Sequence, residues 1–182
     1  GAVEEAEKMA QNDPRYFLVR QFENENNPES HEIFTAKEIL EQMDYKLDAF
    51  VCGVGSGGTI TGVGKALKEA LPEVKIIAVE PYNSAVLSGK AAGAHSIPGI
   101  GAGFIPPVLN TEIIDEIITV KDEEAFEACR QLAHKDALLL GLSSGAAVYA
   151  GKIIAERLGV GKKVLVIAPD DAGKYMSMNL FI

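Results

Sequence analysis

A strand-like apolar run, Ala49–Gly53, passes through a cluster of glycines into a helical pattern that begins at Thr59. The apolar side chains of that pattern fall on one face of a helix, and Pro72 marks its end. The positions on this face are Ile60, Val63, Leu67 and Ala70. A strand, a tight glycine turn and a helix in this order form one βα unit, and such units build sheets of parallel strands.

The same alternation of strand-like and helical patterns continues along the chain. Strands are expected at residues 16–20, 49–53, 75–80, 117–120 and 163–168. Helices are expected at residues 3–11, 29–43, 59–71, 85–89, 122–135 and 144–158. The strand at residues 75–80 has the continuous apolar character of a strand that is covered on both faces. We therefore expect an α/β protein with a three-layer architecture, in which a mostly parallel sheet carries helices on both faces.

The composition fits a single compact unit over residues 1–182, with 47% apolar and 24% charged residues. The net charge of −9 repels nucleic acid and anionic lipid, so neither is an expected partner. The apolar runs are too short to cross a membrane, and we expect a cytoplasmic protein. Residues 1–7 have the pattern of the inside of an amphipathic helix, so we expect that an upstream part of the protein has been left out of this sequence.

The cysteines and histidines do not have the spacing of a redox or metal site. Cys52 and Cys129 lie far apart in apolar patterns, so both are expected to be small buried hydrophobic residues. His31, His95 and His134 are expected at the surface or in packing contacts, and no metal site is expected.

The glycine cluster is the strongest indication of a binding site. Glycine can adopt φ > 0 and leaves no side chain between the backbone and a ligand, while a helix N-terminus directs free N–H groups at an anion. Hydroxyl groups in the same turn add further donors. We therefore expect a phosphate cradle formed by Gly55, Ser56, Gly57, Gly58 and Thr59.

A second interpretation of the same loop remains open. Gly53, Gly55 and Gly58 also have the spacing of a dinucleotide fingerprint, and Glu80 ends the next strand where a ribose-binding acid would stand. A nicotinamide or flavin domain is therefore an alternative. The density of glycine and hydroxyl groups at residues 56–59 favours a terminal phosphate monoester, which needs many donors at one point.

Four further segments accompany the loop, which reads Gly55-Ser56-Gly57-Gly58-Thr59-Ile60-Thr61-Gly62. They are Gln21-Phe22-Glu23-Asn24, Ala78-Val79-Glu80-Pro81, Gly99-Ile100-Gly101-Ala102-Gly103-Phe104-Ile105-Pro106 and Gly141-Leu142-Ser143-Ser144-Gly145-Ala146-Ala147. Together and in this order, the five segments resemble the cysteine synthases (O-acetylserine sulfhydrylases). These are pyridoxal 5'-phosphate (PLP) enzymes of the tryptophan-synthase-β-like family, fold type II.

The resemblance implies that PLP is the cofactor and that its phosphate lies in the glycine loop. It also implies that Ser143 meets the pyridine nitrogen of PLP and that Gln21, Gly101 and Ala102 face the amino-acid substrate. The implied reaction replaces the acetoxy group of O-acetyl-L-serine by sulfide to give L-cysteine and acetate. A neutral serine at the ring nitrogen suits this β-replacement, because it leaves the ring a weaker electron sink than an aspartate would.

The lysine that binds PLP in this family lies upstream of all five segments, and no lysine here has its sequence setting. The chain is therefore expected to be the larger C-terminal, phosphate-binding part of a cysteine-synthase-like protein, with no catalytic residue of its own and no activity alone. The family further implies a homodimer, with serine acetyltransferase as a possible partner. Two alternatives are a non-catalytic partner protein and a cystathionine- or lanthionine-forming relative, although the pair Ala102-Gly103 favours sulfide.

Overall fold

The computed structural model describes residues 2–178 and 180. Its strands are β1 (Ala49–Gly53), β2 (Lys75–Pro81), β3 (Glu116–Val120) and β4 (Val164–Val166). Its α-helices are α1 (Ala2–Asn12), α2 (Asn26–Ser30), α3 (Ala36–Gln42), α4 (Gly58–Ala70), α5 (Asp122–Asp136) and α6 (Leu142–Leu158). A π-helical turn, His31–Thr35, joins α2 to α3, and short 3₁₀ turns lie at Tyr82–Ser84, Thr111–Ile113 and Ala172–Met178.

Within the described residues, the four strands form one parallel sheet in the order β3-β2-β1-β4. Helices cover both faces of this sheet because the strands carry apolar side chains on both faces. Phe50 and Cys52 of β1 lie in the core beside α3 and α4, while Ala49 and Val51 lie in the core beside α5 and α6. Side chains that alternate along each strand therefore fill two separate cores. The predicted three-layer α/β class is confirmed.

The helices follow the sequence pattern closely. The helix expected at residues 29–43 is the continuous helical segment from α2 through the π turn to α3, which ends at Gln42. This segment packs against α4 at very short range, because a Cβ atom placed on Gly62 of α4 would overlap the carbonyl oxygen of Pro28. Only glycine at this position allows the two helical backbones to approach so closely.

Two predicted elements are wrong. Residues 16–20 form no strand, since no strand of the described sheet lies beside them and the Phe17 side chain is 85% exposed. Residues 85–89 form turns instead of a helix. The buried Glu80 carboxylate accepts hydrogen bonds from the backbone N–H groups of Leu87 and Ser88 and so holds this turn against the end of β2.

Both cysteines are buried and unpaired, as expected. Burial raises the pKa of the Cys52 thiol to about 12, and burial is also the main reason that the pKa of Cys129 rises to about 11. Neither thiol is therefore a thiolate near neutral pH. No helix in the described part of the chain is long and apolar enough to cross a membrane.

Phe50→Ala is expected to destabilise the fold by about 3–5 kcal/mol, because the ring is fully buried in the core beside α3 and α4. Phe17→Ala is the matched control and is expected to change stability by less than about 0.5 kcal/mol, since Phe17 lies outside both cores. Urea denaturation followed by circular dichroism measures both changes. Equal losses for the two variants would contradict the core position of Phe50.

Candidate functional site

A cavity of about 310 Å³ lies at the carboxyl ends of β1 and β4. The chain runs from β1 to β2 and β3 on one side of the sheet, whereas β4 pairs with β1 on the other side. The chain connections on the two sides of the β1–β4 pair therefore run in opposite directions along the sheet. Open parallel sheets bind their ligands at such a point. The cavity is lined by the end of β1, the glycine loop, residues 99–100, Ser143 at the start of α6 and the segment that follows β4.

The glycine loop presents an uncapped helix N-terminus to this cavity. Gly57 is the N-cap residue of α4, has φ of 86° and provides no side-chain cap. The first backbone N–H groups of α4 are therefore left without helical partners, and the positive end of the helix dipole coincides with them. A Cβ atom on Gly55 would overlap the carbonyl oxygen of Gly99. The absence of side chains thus lets the loop and the 99–100 segment form adjacent walls of the cavity.

Two hydroxyl groups of the loop are held by residues that the sequence analysis did not assign to the site. The Asn27 amide nitrogen lies 2.9 Å from Ser56 Oγ. The Thr59 hydroxyl lies 3.1 Å from His31 Nε2, and His31 Nδ1 lies 2.9 Å from the Thr35 hydroxyl. Burial lowers the pKa of His31 from its usual 6.5, so the ring is neutral at pH 7. His31 is a packing residue, as expected, and its partner Thr59 belongs to the glycine loop.

The histidines take no part in a metal site. The described residues contain no group of three or more histidine, cysteine, aspartate or glutamate side chains arranged to hold a metal ion. His95 Nε2 lies 3.3 Å from the carbonyl oxygen of Gly101, so this histidine contacts the backbone of the loop at residues 99–106.

Ser143 lies in the first turn of α6, after the N-cap residue Gly141. Its side chain lines the cavity, is only 4% exposed and has no hydrogen-bond partner for its hydroxyl among the described residues. A Cβ atom on Gly99 would lie 3.9 Å from Ser143 Oγ. The hydroxyl is therefore not occupied in capping its own helix and is available to a ligand in the cavity.

The proposed substrate-facing residues lie beside the cavity and do not line it. Gln21 is in an exposed turn, and its carbonyl oxygen accepts a hydrogen bond from the Asn27 amide at 2.7 Å. Gly101 donates its backbone N–H to the carbonyl oxygen of Val54 at 3.0 Å. Ala102 is half-buried next to it. Of the five predicted phosphate-loop residues, Gly58 does not line the cavity, because it is buried as the first residue of α4.

The segment after β4 supplies charged groups to the same cavity. The Tyr175 hydroxyl donates to Asp170 Oδ2 at 2.6 Å, and burial and this carboxylate together raise the pKa of Tyr175 to about 12. The Asp170 Oδ1 atom is buried and has no hydrogen-bond partner among the described residues. Lys174 lies 3.7 Å from Asp170 Oδ2 and is the one lysine that lines the cavity.

Glu80 does not stand where a ribose would bind. It is 2% exposed, and its two carboxylate oxygens accept hydrogen bonds from the backbone of Leu87 and from the backbone and hydroxyl of Ser88. An acid held in this way fixes a turn inside the protein. The geometry therefore speaks against the dinucleotide interpretation of the loop.

A sequence profile of the family described as pyridoxal-phosphate-dependent enzymes matches residues 1–170. The chain belongs to this family. It is 49% identical over 181 residues to cysteine synthase B of Campylobacter jejuni, covering 100% of this chain and 60% of that protein. It is 47% identical over 182 residues to a cysteine synthase of Staphylococcus aureus, covering 100% of this chain and 58% of that protein.

Solved structures of the family have the same fold. A cysteine synthase of Entamoeba histolytica superimposes with a TM-score of 0.94 at 44% identity, over 100% of this chain and 54% of that one. An O-acetylserine-dependent cystathionine β-synthase of Helicobacter pylori superimposes with a TM-score of 0.95 at 42% identity, over 100% of this chain and 59% of that one. The chain thus spans little more than half the length of the family members that it matches.

The residues of the cavity fit the family's cofactor. PLP carries a phosphate monoester, and the loop offers backbone N–H groups, the Ser56 and Thr59 hydroxyls and a backbone bare of side chains at Gly55 and Gly57. The cavity volume is at the lower end of the range typical of small-molecule sites. Ser143 adds a free hydroxyl on another wall.

In the full-length protein that carries this chain, Gly57→Val is expected to weaken PLP binding by about two to four orders of magnitude. Valine resists the φ of 86° at this position, and its Cβ would lie 2.8 Å from Leu109 Cβ, so the loop must move. The loss of two hydrogen bonds to a charged phosphate, at about 1.5–3 kcal/mol each, gives this magnitude. Titration of the apoprotein with PLP measures it.

Gly89→Val is the matched control for backbone strain. Gly89 has a similar φ of 79°, but a Cβ placed on it meets no described atom within 4 Å. This variant is expected to keep PLP affinity while suffering the same kind of strain. Retention of tight PLP binding by Gly57→Val would mean that the loop is only a turn.

Proposed function

We propose that this chain is the cofactor-phosphate-binding part of a cysteine synthase. The proposed reaction replaces the acetoxy group of O-acetyl-L-serine by sulfide and releases L-cysteine and acetate. The observation that carries the proposal is the meeting of the bare glycine loop and the free Ser143 hydroxyl in one cavity at the divergence of β1 and β4. The identity of 47–49% to cysteine synthases over the whole chain supports it.

The loop has the role of a phosphate anchor. We assign the phosphate of PLP to Gly55, Ser56, Gly57, Gly58 and Thr59, with Gly58 contributing through the start of α4 and not through the cavity wall. The donors in the loop are neutral, since residues 53–62 contain no charged side chain. They hold the phosphate by hydrogen bonds and by the α4 dipole, which fixes its position more strictly than a mobile lysine would.

Ser143 is assigned to the pyridine nitrogen of PLP. When bound, PLP would supply the electron sink that lets the substrate lose its α-proton, after which the acetoxy group departs with the electron pair of its C–O bond. A serine hydroxyl can donate to an unprotonated ring nitrogen or accept from a protonated one, but it carries no charge that would keep the nitrogen protonated. Ser143 therefore favours a moderate electron sink, which is sufficient for β-replacement.

Gln21, Gly101 and Ala102 are assigned to the amino-acid substrate. None of them lines the cavity, but each is connected to the loop: Gln21 through Asn27 and Gly101 through Val54, with Ala102 adjacent. These three residues therefore lie next to the phosphate-binding loop, outside the residues that form it. Because they lie outside the turn that forms the phosphate anchor, they are free to contact the amino-acid substrate.

The covalent catalyst is assigned to a part of the protein outside this chain. The sequence contains thirteen lysines, and Lys174 is the one of them that lines the cavity. Its ammonium is largely exposed and lies 3.7 Å from Asp170 Oδ2, and no lysine of the chain has the sequence setting of the family's PLP-binding lysine. We therefore propose that this chain alone is inactive.

The resemblance to cysteine synthases also supports three finer proposals for the whole protein. These are a homodimer, serine acetyltransferase as a partner and a cytoplasmic location. A second candidate activity, cystathionine formation, is favoured by the high similarity to the Helicobacter pylori protein. The small residues Ala102 and Gly103 favour sulfide, because neither supplies a polar side chain that could bind a larger thiol substrate.

Two arms test the proposed function. The full-length protein with PLP and O-acetyl-L-serine is expected to form L-cysteine from sulfide with a higher kcat/KM than it forms cystathionine from homocysteine. The present chain with PLP is expected to yield no stoichiometric lysine adduct after borohydride reduction, as judged by mass spectrometry. Preference for homocysteine would favour the second candidate, and an adduct on Lys174 would contradict the assignment of the catalyst to another part of the protein.

In the full-length protein, Ser143→Asp is expected to slow β-replacement while PLP stays bound. An aspartate holds the ring nitrogen protonated and changes the electron sink, whereas Ser143→Ala leaves the nitrogen neutral and is expected to be mild. Steady-state kinetics and the absorption spectrum of the bound cofactor measure the two effects separately. Unchanged turnover in the aspartate variant would remove Ser143 from the ring-nitrogen role.

A further inference from the structure

Asn27 is half-buried in α2, and its side chain reaches two separate segments. Its amide nitrogen donates to the carbonyl oxygen of Gln21 at 2.7 Å and to Ser56 Oγ at 2.9 Å. These two bonds use both protons of the amide nitrogen. Asn27 therefore joins the phosphate loop directly to the turn that carries Gln21.

The orientation of the Asn27 amide is fixed by its partner. An asparagine side chain can be placed with its nitrogen and oxygen exchanged, and only the hydrogen-bond network decides between the two. The carbonyl oxygen of Gln21 can only accept, so the Asn27 atom that lies 2.7 Å from it must be the donating nitrogen. The same nitrogen then faces Ser56.

This orientation determines which way the Ser56 hydroxyl points. A serine hydroxyl has one proton to donate and two lone pairs that accept. Ser56 Oγ accepts from Asn27 at 2.9 Å and from the backbone N–H of Gly58 at a longer 3.5 Å. Because both lone pairs of the Ser56 hydroxyl are engaged in this way, the hydroxyl can make a further hydrogen bond only by donating its proton. Ser56 lines the cavity, so its proton is available to an acceptor there.

Glycine residues of α4 hold Asn27 in this place. A Cβ atom on Gly58 would overlap the Asn27 side chain, and a Cβ atom on Gly62 would overlap the carbonyl oxygen of Pro28, the next residue. The first turn of α4 is thus shaped to receive the amide and the backbone of α2. The position of Asn27 is set by packing and does not depend on its hydrogen bonds alone.

We propose that Asn27 is a positioning residue that orients the Ser56 hydroxyl as a donor to the phosphate of the cofactor. Through its second bond it also ties the phosphate loop to the backbone of Gln21. This inference rests on the proposed function, since it takes the occupant of the loop to be the PLP phosphate. Asn27 itself is not among the residues that line the cavity.

A double-mutant cycle in the full-length protein tests the inference. The dissociation constant of PLP is measured by titration of the apoprotein for the wild type, Asn27→Ala, Ser56→Ala and the double variant. Each single change is expected to weaken PLP by about tenfold, the effect of one hydrogen bond to a charged group. The double variant is expected to bind PLP as Ser56→Ala does, because Asn27 acts through the Ser56 hydroxyl.

An isosteric change separates orientation from packing. Asn27→Asp keeps the size of the side chain but offers an acceptor, which takes the Ser56 proton away from the phosphate. It is expected to weaken PLP more than Asn27→Ala does and to shift the phosphorus NMR resonance of the bound cofactor. Asn26→Asp adds the same charge one residue earlier on an exposed side chain and controls for simple repulsion. It is expected to leave the resonance in place.

The possible failures are distinguishable. If Asn27→Ala weakens PLP equally with and without the Ser56 hydroxyl, Asn27 only supports the fold and the inference is wrong. The inference also fails if Asn27→Asp and Asn26→Asp have the same effect on affinity and on the phosphorus resonance. Either result leaves the cofactor site intact, because that site is tested by Gly57→Val. If Gly57→Val keeps PLP, the proposed function itself fails.

Discussion

The close approach of backbones around the glycine loop is the constraint on which the rest of the site depends. Three segments occupy the space that side chains on this loop would fill: the Asn27 amide at Gly58, the carbonyl of Gly99 at Gly55 and the side chain of Leu109 at Gly57. The glycines thus have two roles at once. They leave the N-terminus of α4 bare for an anion, and they let segments that are distant in sequence form the walls around it.

The binding of a phosphate here does not rely on net charge. The protein carries a charge of −9, which at long range repels an anion. The next cation along the chain after the loop, Lys65, is paired with Glu32 at 2.8 Å. The favourable terms are therefore short-range: backbone N–H groups, two hydroxyls and the dipole of α4. Such terms act only at close contact and in the correct geometry, so the orientation of a single hydroxyl, that of Ser56, is expected to affect affinity measurably.

The parts of the fold that depend on local pattern could be predicted from the sequence. The βα unit from Ala49 to Ala70 combines an apolar run, a glycine turn and an amphipathic helix, and each of these is visible within a few residues. The two wrong predictions concern segments whose conformation depends on residues outside the segment itself. Residues 16–20 have strand-like composition but no neighbouring strand among the described residues, and at residues 85–89 the buried Glu80 carboxylate of β2 holds the backbone N–H groups of Leu87 and Ser88 in a turn.

The same distinction applies to the site. The glycine loop is visible as a contiguous motif, and Ser143 was assigned only through the resemblance to cysteine synthases, although it is the fold that brings both to one cavity. Asn27 and His31 were not recognised as neighbours of the loop, because their partners Ser56 and Thr59 follow 29 and 28 residues later. No local pattern encodes such a pairing. The helical spacing of Asn27 and His31, four residues apart at the start of α2 and its π turn, places them on one helix face and is the signal that could have indicated a shared neighbour.

The positions of α4 and α6, which both border the cavity, suggest why a neutral residue such as Ser143 suits the proposed site of the pyridine ring. Both α4 and α6 begin at the carboxyl edge of the parallel sheet, so the first turns of both contribute residues to one cavity. At α4, the positive end of the dipole faces the proposed phosphate, and the charges are complementary. At α6, the positive end of the dipole would oppose protonation of a ring nitrogen held by Ser143, and the Asp170 carboxylate beside Gly141 would counteract it. With these influences opposed, a neutral Ser143 in its proposed role would leave the choice of protonation state to the pyridine itself. Under the proposed reaction this would be sufficient, because the electron pair of the α-C–H bond forms a C=C bond as acetoxy departs with the C–O pair, so no charge has to be stored on the ring for long.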